Sequence, residues 1–322
     1  MLSYNRTKYH SEHNVRQFFS GVASDRNLIF EMIHRLVHLK NKRRHLIPQR
    51  QLSYFVLNIL DHCNLRCKGC DHFAAIAEER FVLLDDIKKD LAQVSKILNG
   101  DVKRIGIMGG EPLLHPQLKE ILINTRLFFP KTMIQLVTNG ILLLQQDENF
   151  WRICREQNIV IVNTKYPIHL DYEAIKRTAA VQGVTFKYYG YTRLITKTSY
   201  KMPMDIEGHQ NPRKSFIECF HANTYPLLME GKLYSCTVAP NVRHFNKKYG
   251  THMELEEGDY LNIYHVKKAS DIFNFLSYPK PFCRYCDVNN RSHGHKWERS
   301  KQEISEWVAR KPTIPMNRDQ QK

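Results

Sequence analysis

SYFVLNILDHCNLRCKGCDHF, residues 53–73, runs a short apolar segment straight into three cysteines spaced CxxxCxxC. Its β-branched and aromatic residues over 53–59 predict a buried strand. Cys63, Cys67 and Cys70 then sit in the loop that leaves it. The pattern repeats downstream. LDDIKKDLAQVSKILNG puts Ile87, Leu91, Val94 and Leu98 on one helical stripe closed by Gly100, and RIGIMG at 104–109 reads as a second strand. Pro116 opens a helix that stops at Pro130, and MIQLVTNG at 133–140 gives a third strand. IVIVN at 159–163, a helix begun by Asp171, and VTFKYY at 184–189 complete the series. Short apolar strands alternating with amphipathic helices predict an α/β domain with parallel strands. Five strand-then-helix units can be counted, and no sixth strand is evident.

In parallel α/β barrels, chemistry gathers where the strands end. Three segments meet that condition: the cysteine loop, GGEP at 109–112 after the second strand, and TNG at 138–140 after the third. Three thiolates from one loop can hold three corners of an iron–sulfur cluster, which ordinarily takes four cysteines, and so leave one iron open. A structural zinc site completed by His62 or His72 is the other reading of the same residues.

The order and spacing of these motifs, over residues 53 to about 190, resemble the radical S-adenosylmethionine (radical SAM) superfamily. The resemblance implies a partial (β/α)6 TIM-like barrel in which Cys63, Cys67 and Cys70 hold a 4Fe-4S cluster and the amino and carboxylate groups of SAM chelate its open iron. It implies cofactor contacts from Gly109, Gly110, Glu111 and Pro112, with Thr138 and Asn139 converging on the same loop. The chemistry implied is reductive cleavage of SAM to methionine and a 5′-deoxyadenosyl radical, which takes a hydrogen atom from substrate. The cofactor carries that chemistry, so no side chain is assigned a catalytic role. One position departs from the family: Gly69 stands where an aromatic residue is common. Adenine contacts must then come from elsewhere, with Asn163 and the Tyr188–Tyr189 pair as candidates beside ordinary barrel packing. Asp71 and His72 follow the cysteines and can either touch substrate or cap the loop backbone.

Four more cysteines form a second pattern. PLLMEGKLYSC at 226–236 reads as two short strands around Glu230-Gly231 ending on Cys236; Cys219 precedes it, and FCRYC at 282–286 supplies Cys283 and Cys286. Four thiolates suit zinc or a second cluster. The arrangement resembles the twitch module, a shortened relative of SPASM domains in radical SAM enzymes, which implies an auxiliary 4Fe-4S cluster. With every corner held by protein, such a cluster is suited to passing electrons. Cys154, in FWRICREQ, reads as a buried small apolar residue.

The 42% hydrophobic content over 322 residues excludes a disordered chain, and no apolar run approaches the roughly 20 residues of a membrane span. The N-terminus lacks the apolar region of a secretory signal, so a reducing cytoplasm is expected. Lys and Arg outnumber Asp and Glu by 48 to 32, a formal +16, which points to an acidic partner. Between Glu31 and Asp61 there is no acid, while Arg35, Lys40, Lys42, Arg43, Arg44 and Arg50 fall inside that window. Running into that window, NLIFEMIHRLVHLK at 27–40 places Ile29, Ile33, Leu36 and Val37 on one face, either a membrane-surface helix or one packed on the main domain.

The chain is therefore divided into a basic helical extension (1–50), a radical SAM barrel (51–200), a linker with a twitch-like module (201–290), and a C-terminal helix with a frayed tail (291–322), the helix reading from WERSKQEISEWVARK. Twitch-bearing relatives include dehydrogenases of an aminocyclitol, and the tail is similar to radical SAM proteins associated with surface-polysaccharide synthesis. The resemblance thus implies oxidation of a glycan-type small molecule, a phosphate handle suiting the basic surface, with electrons from a donor such as flavodoxin or ferredoxin. A peptide-modifying maturase is the rival among enzymes, although such proteins carry more auxiliary cysteines and no leader-binding domain is evident before residue 50. The rival outside enzymes is a membrane-docking or nucleic-acid-binding protein with structural metal sites. Nucleic acid is not the expected partner, since charge alone does not name one.

Overall fold

A computed structural model describes residues 36, 39–40, 42–189, 197–201 and 203–308. The chain divides into two units, Met1–Arg44 and His45–Lys322. Of the first, residues 36, 39–40 and 42–44 are helical, with Leu36 and Leu39 exposed. Ile29, Ile33 and Val37 of the expected amphipathic face lie outside the described residues.

In the second unit β1 (Phe55–Asn58), β2 (Arg104–Met108), β3 (Met133–Thr138), β4 (Ile159–Asn163) and β5 (Phe186–Tyr188) join in chain order, each parallel to the one before. Strands covered on both faces carry near-continuous Val, Ile and Leu, which is how β1 and β4 read. The crossovers are α1 (Leu84–Leu98), α2 (Leu118–Phe128), α3 (Glu148–Glu156) and α4 (Tyr172–Val181). The stripe Ile87, Leu91, Val94 and Leu98 is buried against the sheet, each residue stabilising the fold by roughly 1.5–3 kcal/mol. Asp147 and Asp171 cap α3 and α4 by accepting from the amides of Phe150 (2.7 Å) and Ala174 (2.8 Å).

After β5 the chain leaves the sheet. β6 (Thr198–Lys201) is followed by α5 (Pro212–Glu218), then β7 (Leu227–Met229) and β8 (Lys232–Tyr234), α6 (Val238–Tyr249), β9 (Tyr260–Asn262), α7 (Ala269–Leu276) and β10 (Ser292–Lys296). β6 and β10 form a separate antiparallel pair. Among the described residues the main sheet has the order β5-β4-β3-β2-β1-β7-β8-β9.

This order corrects the linker drawn from sequence. β7 pairs parallel with β1, Val56 opposite Leu227, so the strands around Glu230 and Gly231 extend the main sheet from its free edge. β7 is also the sixth parallel strand that the sequence concealed, three residues long and out of chain order. The presumed linker at 200–218 contains β6 and α5, the latter begun by Asn211, which accepts from Lys214 N at 2.9 Å, with Pro212 in the first turn.

The C-terminal helix is a second correction. Residues 297–308 contain one short 3-10 turn, Ile304–Glu306, and otherwise run as an extended strap. The Glu306 carboxylate folds back to accept from Ser300 Oγ and Lys301 N, both at 2.7 Å, which closes a turn where a helix would have continued. The strap buries both of its tryptophans, with Trp307 packed on Phe73, Phe245 and Tyr249. Among the described residues no helix is long and apolar enough to cross a membrane.

Candidate metal centre and cofactor site

The cysteine loop leaves β1 at the C-terminal edge of the sheet. Its entry is fixed by backbone pairing with the segment after β2: Ile59 N donates to Met108 O (2.9 Å), Gly110 N to Leu60 O (3.1 Å) and Glu111 N to His62 O (3.1 Å). Gly110 has no room for a side chain here, because a Cβ would stand 1.8 Å from His62 O, and one on Gly109 would stand 2.3 Å from Leu60 O. Thus the two glycines of GGEP allow the strand end to lie directly against the loop that carries Cys63.

Glu111 is 1% exposed and braces the neighbouring strand ends. Its carboxylate accepts from Leu113 N (3.1 Å), Thr138 Oγ1 (2.6 Å) and Asn139 N (2.8 Å), tying the end of β2 to the end of β3. Burial pushes its pKa up to about 7 against these three donors. Pro112 opens the short turn behind it. Asn139 Nδ2 donates to Asn64 Oδ1 (2.7 Å) and reaches Cys63 Sγ at 3.8 Å. Asn163 is fully buried, donates to Thr138 O (3.3 Å) and leaves its Oδ1 without a protein partner. The residues singled out at 109–112, 138, 139 and 163 therefore meet in one network beside Cys63.

Burial raises all three loop thiols. Cys63 is pushed up to about 12, with Glu111 and Cys67 adding repulsion; Cys67 and Cys70 are raised also. Such thiols keep their protons at neutral pH unless a metal replaces them. His62 Nδ1 accepts from Arg80 N (3.4 Å) and its ring stacks edge-on against Phe81, while His72 is buried with Nδ1 unpartnered. Among the described residues no three His, Cys, Asp or Glu side chains are gathered for a single metal ion. Three thiols on one short loop are a donor set that fits a cluster with an open corner. Gly69 has φ 64°, a left-handed conformation that disfavours the aromatic residue common there.

Of the alternative adenine candidates, Tyr188 Oη donates to Tyr172 O (3.2 Å) and Tyr189 Oη meets Tyr225 Oη (3.0 Å).

The other four thiols line one small, mostly apolar pocket. Cys219 follows α5, Cys236 follows β8, and Cys283 lies within a 3-10 turn, Pro281–Tyr285, that Cys286 closes. Burial pushes Cys236 up to about 12 and raises Cys283 and Cys286 further. Lys280, 3% exposed, also lines the cavity, and burial brings it down to about 8. The donor set, four thiols and one buried amine around a common space, fits a second thiolate-held cluster. Cys154 is fully buried on α3, far from either set in role.

Asp71 connects the two thiol sets. It follows Cys70 in the chain, while its Oδ2 accepts from Thr237 Oγ1 (3.1 Å) and lies 3.3 Å from His221 Nδ1. Thr237 adjoins Cys236, and His221 N donates to Cys219 Sγ (3.3 Å). The Asp71 bridge could not be found from spacing, because it joins residues more than a hundred positions apart, and nothing in the local sequence marks Lys280 as buried beside the thiols.

Comparison with known proteins agrees with the motif reading. The model of the Radical SAM superfamily matches residues 57–167. A GTP 3′,8-cyclase of Clostridium perfringens (strain SM101 / Type A) is 32% identical over 97 residues, 29% of this chain and 29% of the relative. The chain therefore spans less than a third of the length of that relative. GTP 3′,8-cyclase 1 of Mycobacterium tuberculosis (strain CDC 1551 / Oshkosh) is 24% identical over 287 residues, 82% of this chain and 78% of the relative. Among solved structures, that of BtrN in complex with AdoMet and 2-DOIA has a TM-score of 0.47 at 17% identity, covering 75% of this chain and 94% of that one.

Proposed function

We propose that the protein is a radical SAM enzyme that oxidises a carbohydrate-type substrate bearing a phosphate or nucleotide handle. The observation that carries this reading is the pairing of two thiol sets with different capacities: three on the loop after β1, and four around one cavity, joined through Asp71. Cys63, Cys67 and Cys70 would hold a 4Fe-4S cluster with one open corner, and Cys219, Cys236, Cys283 and Cys286 would enclose a twitch-like auxiliary cluster. When bound, the first cluster and SAM supply one-electron cleavage of the sulfonium and, through it, removal of a substrate hydrogen atom.

The chain's own part is placement. The backbone of Gly109–Gly110–Glu111 holds the loop entry, Glu111 locks the ends of β2 and β3 together, and Asn139 and Asn163 offer amide groups to the cofactor. An auxiliary cluster with four protein thiolates is suited to accepting the second electron of a dehydrogenation, with a flavodoxin- or ferredoxin-type donor reducing the first. The +16 charge favours a phosphorylated substrate and allows contact with an anionic membrane surface.

A second reading is cyclisation of a purine nucleotide, favoured by the names of the curated relatives. The two separate by product mass. Anaerobically reconstituted, reduced protein given SAM and either sugar phosphates and nucleotide sugars or GTP should yield a sugar product lighter by two hydrogens. An isomer of GTP would favour the second reading instead. Release of no deoxyadenosine with any of them would refute both.

A further inference from the structure

We propose that Trp297, carried on the C-terminal strap, is a positioning residue for the loop cluster, donating its indole N–H together with the Tyr166 hydroxyl to the Cys67 sulfur. The inference rests on the reading of Cys63, Cys67 and Cys70 as cluster ligands and adds what tunes that cluster.

The strap lies along the cysteine loop as an added strand. Lys68 N donates to Glu298 O (3.0 Å), Ser300 N to Arg66 O (2.8 Å), and Cys67 opposes Arg299 in an antiparallel bridge. The Lys68 ammonium pairs with Glu298 at 2.7 Å, and Trp307 Nε1 donates to Cys70 O at 2.9 Å. These bonds hold the main chain on both sides of Cys67, so the residue just before Glu298 is delivered to its sulfur.

Trp297 is 8% exposed, yet its Nε1 completes no hydrogen bond among the described residues. A buried N–H without a partner costs about 1–3 kcal/mol, so its retention calls for an acceptor. Its ring meets Tyr166 edge-on, centroids 5.6 Å apart, and Tyr166 feels all three loop thiols. A neutral thiol is a poor acceptor, whereas a metal-bound thiolate is a good one. Donors aimed at cluster sulfur stabilise the reduced, more negative state and raise its potential. Trp297 and Tyr166 are 131 positions apart in the chain, so the strap completes this surrounding only when it is seated.

The test is a redox titration of full-length reconstituted protein by electron paramagnetic resonance, following the signal that SAM perturbs. At the wild-type midpoint, Trp297→Phe, which keeps a buried ring, should lower the reduced-to-oxidised ratio about tenfold, equivalent to about 59 mV for one electron. Tyr166→Phe should move it the same way and serves where Trp297→Phe holds no iron. Wild-type potential in whichever variant holds the cluster would overturn the inference and leave the cluster reading intact. Wild-type protein that takes up no iron would overturn that reading itself, and the inference with it.

Discussion

Glu111→Gln tests whether the buried carboxylate is what ties the strand ends together. In the wild type one oxygen accepts from Leu113 N and Thr138 Oγ1, the other from Asn139 N. An amide can keep Asn139 N on its carbonyl oxygen, and its NH2 can turn to Thr138 Oγ1, which already accepts from Gly140 N at 3.0 Å. Leu113 N then faces a donor. One buried N–H left unpaired, with a charge-assisted bond made neutral, costs about 1–3 kcal/mol at pH 8 after the relief of burying no charge. The pH dependence gives a sharper test. Glu111 is raised from 4.5 to about 7, so the folded chain binds its proton more tightly than the unfolded one. Its contribution is fully present below 4.5 and lost as pH rises through about 7, a swing of about 3 kcal/mol that the glutamine variant lacks. Urea unfolding of both proteins should therefore show the gap between them widening by roughly 2 kcal/mol from pH 8 to pH 5.5. A gap that stays constant, or widens toward alkaline pH, would show that the brace is misassigned.

Asp61 provides the opposite sign. Burial alone would raise it, but His244 at 3.7 Å and the guanidiniums of Arg243 (2.9 Å) and Arg80 (3.2 Å) hold it down to about 2. Its stabilisation is present above the ordinary carboxylate value of 3.8 and lost as pH falls toward 2. Asp61→Asn should thus cost roughly 2 kcal/mol at pH 7, narrowing below pH 4 in urea titrations. Trp307→Ala removes a buried indole and the bond to Cys70 O, and should cost about 3–5 kcal/mol by the same assay, with protease cleavage appearing in the strap. Replacing Cys219, Cys236, Cys283 and Cys286 together by serine should halve the iron of reconstituted protein from about eight atoms to about four. Unchanged iron would remove the auxiliary cluster from the account.

The main sheet was legible because β1 to β5 follow chain order and β1 to β4 are compact apolar runs between turn signals. The motifs at 63–70, 109–112 and 138–140 were legible for the same reason: each is local, and parallel topology puts strand ends together. What escaped was pairing across the chain. Leu227 and Leu228 carry no mark that they will lie beside Val56 and Leu57. The segment 297–311 has helical composition, yet over 297–308 two tryptophans and the Glu306 turn favour an extended path over the cysteine loop. Trp297, Tyr166, Asp71 and Lys280 acquire meaning only once distant segments meet.

The most direct measurement is 5′-deoxyadenosine released from SAM by reduced, oxygen-free protein, compared between wild type and Cys67→Ala. Formation by the wild type and its loss in the variant, with the fold retained by circular dichroism, is the predicted result. Equal release by both proteins, or none from iron-replete wild type, would contradict the claim that the loop thiols leave a metal corner open to the sulfonium.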